Sequence, residues 1–177
     1  MVIDSYSITG GDPLLNPDVW WLISELRRDK KKVTILGVPE TITEVNLKKM
    51  KSLEIDSYQV SLDGMEKTHD NIRGRGSFTR TIEALKKLNL AGIQAKVMFT
   101  MSKQNFKEMF RLIEYLENLN LNQLKKLEGT ASSVTGEEAA LVAHQITLLK
   151  KEIQNVQRVL EQQGRIVSPA DGIVRIK

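Results

Sequence analysis

A chain of 177 residues suffices for one domain and part of a second, and 41% apolar with 27% charged residues is ordinary globular composition, which excludes a disordered or fibrous chain. The formal net charge of +4 comes from dispersed lysines, and the densest basic run, Arg27-Arg28-Asp29-Lys30-Lys31-Lys32, has no interleaved aromatic platform. It reads as the C-terminal end of a helix, where cations suit the dipole, and no nucleic-acid partner is expected. The absence of cysteine removes disulfides, thiolate zinc sites and cysteine nucleophiles from these residues, and two histidines do not build a His-only metal site; no metal ligand set is assigned. No apolar run approaches the roughly 20 residues of a membrane span, and residues 1–15 lack the basic start and apolar core of a signal peptide. A cytoplasmic location is the expectation.

Strand and helix signals alternate through residue 122. Tyr6–Thr9 is a short strand running into Gly10-Gly11. Asn16 is placed to cap a helix with Pro17 at its first position, and Val19, Leu22, Ile23 and Leu26 form its apolar stripe. Trp20-Trp21 reads as one buried and one half-exposed ring. Val33–Leu36 is a buried-type strand, followed by a helix over Glu44–Leu53 with Leu47, Met50 and Leu53 inward, and then by a strand at Tyr58–Leu62 that ends in Asp63-Gly64. Ser77 is placed to cap a helix over Phe78–Leu88. A strand at Ile93–Thr100 and a helix from Asn105 to about Asn118, lined by Phe106, Met109, Phe110, Ile113 and Leu116, complete the series. Strands separated by single helices imply βαβ units and a parallel sheet of four strands joined by right-handed crossovers, so the fold class is α/β.

The character changes near Asn122. Residues 123–138 read as a linker, with the small polar run Gly129–Gly136 at their centre. Val142, Ile146, Leu149, Ile153, Val156 and Leu160 then step alternately by four and three, the spacing of a coiled-coil seam within residues 139–177. Arg165–Lys177 alternates as a strand around a Pro169-Ala170-Asp171-Gly172 turn.

Ser7-Ile8-Thr9-Gly10-Gly11-Asp12-Pro13-Leu14-Leu15 resembles the second strand and Gly-Gly-acid turn of radical S-adenosylmethionine (radical SAM) enzymes. Some fifty residues on, Ser61-Leu62-Asp63-Gly64, His69-Asp70-Asn71-Ile72-Arg73-Gly74 and Gly76-Ser77-Phe78 resemble the members that modify peptides or proteins, so the likeness covers about residues 3–118. It implies a partial (β/α) barrel and S-adenosylmethionine as cofactor. The cofactor's amino group would fall on Gly10, Gly11 and Asp12, and its carboxylate on Ser61 and Arg73. A planar guanidinium suits bidentate carboxylate binding. Asp63 would take a ribose hydroxyl or cap its loop, and an ion pair with Asp70 is the plain alternative for Arg73. His69 is read as a hydrogen-bonding loop residue, with acid–base chemistry as the sharper alternative.

The family holds a 4Fe-4S cluster on a Cys-x3-Cys-x2-Cys loop, and these residues have no thiolate to offer it. Met1 aligns with the start of the family's second strand, so the cluster loop and first strand are expected to be missing, with no catalytic residue assigned. The third family strand often ends Thr-Asn-Gly, of which Ile35-Leu36-Gly37 keeps only the glycine. Residues 124–177 resemble hemolysin-D-type membrane fusion proteins, in which a helix returns into a lipoyl-like β-domain through a Pro-x-Asp-Gly turn. Two functions follow as expectations. The first is a fragment of a peptide- or protein-modifying radical SAM enzyme, as a truncated fusion or chimera, unable to turn over by itself. The second is a non-catalytic interaction or export-adaptor-related protein that self-associates or binds a partner helix through residues 139–161.

Overall fold

The computed structural model describes residues 3–131, together with helical positions 140, 143, 144, 146–148, 150, 151, 153, 154 and 158 and the short strand segments 166–167 and 175–176. Two compact units divide the chain, Met1–Lys107 and Glu108–Lys177.

The first unit is built on four strands: β1 (Ser5–Ile8), β2 (Lys32–Leu36), β3 (Ser57–Ser61) and β4 (Gln94–Met98). They pair in chain order and all in parallel, with Tyr6 beside Val33, Ile35 beside Tyr58 and Val60 beside Val97. The connections carry helices α1 (Val19–Arg28), α2 (Glu44–Ser52), α3 (Glu66–Arg73) and α4 (Ser77–Leu90). This is the expected α/β partial-barrel arrangement of successive βα units.

Strand periodicity sorts the sheet into two faces. Val33, Ile35, Tyr58 and Val60 are buried on one, with Ile23 of α1, Met50 of α2 and Leu88 of α4 also in the core. The other face carries Ser7, Thr34, Gln59, Ser61 and Lys96, so β2 is buried on one side only rather than on both. β4 pairs with β3 alone among the described residues, and its Val97 and Met98 remain exposed.

Several local expectations shift. Asp12, not Asn16, makes the first cap: its side chain accepts from Leu14 N and closes a 3-10 turn over Pro13–Leu15. Asn16 holds the next turn through Asp18 N, and α1 starts at Val19. Trp20 is half-buried under Lys49, whose ammonium lies 5.1 Å from the ring, and Trp21 is exposed. His69 and its neighbours Thr68, Asp70 and Asn71, read as a polar loop, lie on α3. Its composition offers no apolar stripe, but Glu66 in the first turn and Arg73 in the last suit the dipole, and Gly74 at φ 99° ends it. Ser77 is inside α4 rather than at its cap. Gly76 takes the cap position, and Asp70 on α3 supplies the side-chain oxygens, accepting from Gly76 N and Phe78 N.

In the second unit α5 spans Met109–Ala131, beyond the expected end at Asn118, because no glycine or proline interrupts it before Gly129. Phe106 lies ahead of it in a 3-10 turn, and Leu112, outside the expected stripe, is buried. Ile146 is half-buried and Ile153 buried on helical backbone; Val142, Leu149, Val156 and Leu160 lie outside the described residues. β5 (Ile166–Val167) pairs antiparallel with β6 (Arg175–Ile176), and the turn residues between them also lie outside the described set.

Candidate functional site

Parallel βα units leave their ligand sites at the C-terminal ends of the strands, where the chain turns from strand to helix. There the first unit has an open cleft of about 690 Å³, lined among others by Gly11, Gly37, Ser61, His69, Arg73 and Arg80. Three of the residues assigned from sequence, Gly11, Ser61 and Arg73, thus meet in one cavity. Gly10 precedes Gly11 at φ 107°, a conformation that a side-chain-bearing residue rarely adopts, with open space where a Cβ would stand.

Asp12 and Asp63 are not part of the lining; each is engaged inside the protein. Asp12 Oδ1 accepts from Leu14 N at 2.8 Å, while Oδ2 accepts from Val38 N at 2.7 Å and from the Thr41 hydroxyl at 2.8 Å. The carboxylate therefore ties the β1 turn to the loop after β2. Tyr58 reaches the same corner from β3, its phenol 3.0 Å from Thr41 Oγ1. Burial, with the Asp12 charge adding to it, pushes that phenol above its ordinary range. This corner explains the one glycine that the β2 end shares with the family pattern: a Cβ on Gly37 would overlap the Tyr58 phenol and stand 2.7 Å from Asp12 Oδ2.

Asp63 is only 2% exposed. Its Oδ2 accepts from Arg73 Nε at 2.6 Å and its Oδ1 from Thr100 N at 2.8 Å, while its carbonyl accepts from Asn105 Nδ2 at 2.9 Å. Arg73 thus pairs with Asp63 and not with Asp70, which is occupied in capping α4. The amides of Phe78 and Gly76 hold the Asp70 carboxyl below its usual value. Asp63 N donates to His69 Nδ1 at 2.9 Å. His69 is fully buried in α3, its ring edge-on to Phe78, and its Nε2 has no hydrogen-bond partner. Burial pushes the imidazole below its ordinary value, against the opposing pull of Asp63.

Sequence reading missed Gln59, Arg80 and Thr81 in the lining. Each had a spacing signal. Gln59 is two residues before Ser61 on one strand face, and Arg80 and Thr81 follow Ser77 by three and four on one helix face. Arg80 Nε donates to Glu40 Oε1 at 2.8 Å, across the rim of the cleft.

The family model of the radical SAM superfamily matches residues 2–116, and the chain belongs to that superfamily. It is 30% identical over 132 residues to a probable GTP 3′,8-cyclase of Saccharolobus islandicus, an alignment covering 71% of this chain and 42% of that protein. It is also 29% identical over 110 residues to the Fe-coproporphyrin III synthase of Methanosarcina barkeri, over 62% of this chain and 28% of that protein. The chain spans less than half the length of these curated relatives.

The two groups that the family employs fare differently against these residues. The cleft offers backbone, hydroxyl and guanidinium groups suited to an amino-acid-bearing ligand. An iron–sulfur cluster needs thiolates, and the 177 residues contain none. Among the described residues no three His, Asp or Glu side chains gather as a metal site either. Cluster ligands would have to come from outside these residues. No helix of the described residues is long and apolar enough to cross a membrane.

Proposed function

We propose that the cleft binds S-adenosylmethionine and that these residues are the cofactor-binding part of a radical SAM enzyme. The observation that carries this reading is the convergence of Gly11, Ser61 and Arg73 on one cavity at the C-terminal ends of β1 and β3. In this reading the Gly10-Gly11 backbone holds the amino group of the cofactor. The Ser61 hydroxyl and the free edge of the Arg73 guanidinium take its carboxylate. Asp12 contributes by fixing the turn and Asp63 by orienting Arg73, since both carboxylates already accept from protein donors. In the family the cofactor supplies radical hydrogen abstraction. These residues alone bind without turnover, because nothing in them holds a cluster.

Calorimetry at millimolar S-adenosylmethionine tests the reading. Heat beyond dilution, lost in Ser61→Ala and Arg73→Gln variants that stay folded, supports it. A folded sample giving no heat removes it.

The Ser61–Gly64 and His69–Phe78 strings support a peptide or protein as substrate of the whole enzyme. The names of the relatives, a probable GTP 3′,8-cyclase and an Fe-coproporphyrin III synthase, favour a small molecule instead. Competition for the loaded protein between a peptide library and anionic small molecules separates the two. A further reading, self-association or helix binding through residues 139–161 as in an export adaptor, rests on the heptad spacing of the sequence. It predicts concentration-dependent mass in sedimentation, abolished by Ile153→Asp; a monomer at every concentration removes it.

A further inference from the structure

The buried group that the proposed binding scheme leaves unused is His69. It lines the cleft wall, yet among the described residues the one hydrogen bond of its ring is accepted by Nδ1 from the main chain of Asp63. That bond fixes its chemistry. Nδ1 accepts from an amide, so it carries no proton, and the neutral ring must bear its hydrogen on Nε2. Protonation would place an N–H on Nδ1 facing the Asp63 N–H, donor against donor, while Nε2–H stays buried without a partner. Nδ1 therefore disfavours the cation, and the unpartnered Nε2–H gives the added charge no acceptor to lean on.

The same amide belongs to the residue whose carboxylate holds Arg73 Nε and Thr100 N. We propose that His69 is a positioning residue for the cleft: its neutral Nε2–H tautomer anchors the Asp63 main chain, and through Asp63 it sets the direction in which Arg73 presents its guanidinium. Acidification that ionises His69 breaks the anchor and releases Arg73 from its bearing. The charged groups around the ring are Asp63 from the end of β3 and Asp70 and Arg73 from its own helix; α4 offers the Phe78 ring. Asp70 is itself held by α4, so Asp63 and Arg73 are the pair free to respond.

The proposal rests on the cofactor-binding reading for its use but not for its test. Selective ¹⁵N labelling of histidine and arginine in the full chain reads both parts without ligand. His69 should show an unprotonated Nδ1 and a protonated Nε2 at neutral pH, and the Arg73 Nε signal should move with the same midpoint as the His69 ring. In His69→Asn, which keeps an acceptor near the Nδ1 position but does not titrate, the Arg73 signal should lose that midpoint and stay near its neutral-pH position. An Nδ1–H tautomer, a His69 midpoint at or above the ordinary value of 6.5, or an Arg73 signal indifferent to the titration overturns the proposal. Calorimetric affinity for S-adenosylmethionine should fall at least tenfold across the midpoint in the wild type and stay flat in His69→Asn. Absence of cofactor heat at every pH, beside the expected nitrogen signals, removes the binding reading and leaves the positioning role of His69 standing.

Discussion

At the end of β1, half-buried Asp12 gives its carboxylate to three uncharged donors, Leu14 N, Val38 N and the Thr41 hydroxyl. At the end of β3, buried Asp63 gives its carboxylate to a cation, Arg73, and to a single amide, Thr100 N. In sequence the two look alike, an acid at a strand-to-helix turn. One uses its charge to clamp two loops together and keeps nothing for the cleft. The other passes its charge to an arginine that does reach the cleft. A strand-end acid is therefore better judged by where its donors come from than by its position, and these donors lie up to 37 residues away.

The sharpest break of this comparison is Asp63→Ala. It strips Arg73 of its counter-ion and the part-buried Thr100 amide of its acceptor. The expected loss is about 3 kcal/mol, the upper end of what hydrogen bonds to a buried charged group contribute, because Asp63 is 2% exposed although Arg73 is 41% exposed. Urea unfolding followed by circular dichroism measures it. A midpoint within error of the wild type would show that the pair contributes nothing to the fold.

Next comes Gly37→Ala at the other corner. A Cβ there meets the Tyr58 phenol and the Asp12 carboxylate together. Overpacking of this kind costs about 2 kcal/mol, and the same unfolding experiment should show it. Because φ at Gly37 lies outside the left-handed region, the loss should be recovered in part by Tyr58→Phe, which removes the phenol oxygen that the methyl group strikes. No recovery in the double variant would place the strain elsewhere.

Acid separates the two aspartate corners without any mutation. His69, with its folded value pushed down by burial, takes up protons in the unfolded chain first. Stability associated with it is complete above its ordinary value of 6.5 and declines as pH falls from there toward the depressed folded value. Asp70 contributes stability above its ordinary 3.8 that is lost as pH drops through its lowered folded value. The β3 corner should thus loosen in two separate windows, whereas no histidine sits in the β1 corner. Hydrogen exchange of the Asp63 and Val38 amides at pH 7 and pH 5 compares them directly: Asp63 N should lose protection and Val38 N should keep it.

These differences explain how far the residues could be read in advance. Strand order and helix positions followed from periodicity, because Val33, Ile35, Ile82 and Leu85 carry their burial in their spacing. The Gly10-Gly11 turn and the pairing of Ser61 with Arg73 in one cavity were legible from motif resemblance. The α3 helix was not, since only His69 on it is buried and no apolar stripe marks it. Nor was the choice of Asp63 over Asp70 as partner of Arg73. In sequence Asp70 is nearer, but the fold spends it on the amides of α4. Hydrogen bonds that join residues across tertiary distance leave no local pattern.

The smallest effect belongs to the second cleft arginine. Arg80 pairs with Glu40, but both side chains are about half exposed, 46% and 52%, and water screens the pair. Arg80→Gln should therefore shift stability by no more than about 0.5 kcal/mol, far less than Asp63→Ala, although the two cation–carboxylate distances differ by only 0.2 Å, 2.8 against 2.6 Å. Burial of the acid, not length of the contact, should decide the outcome. If Arg80→Gln instead matches Asp63→Ala in the urea experiment, the rim pair is shielded from solvent in solution, and the contrast between a buried orienting acid and an exposed surface bridge fails at this site.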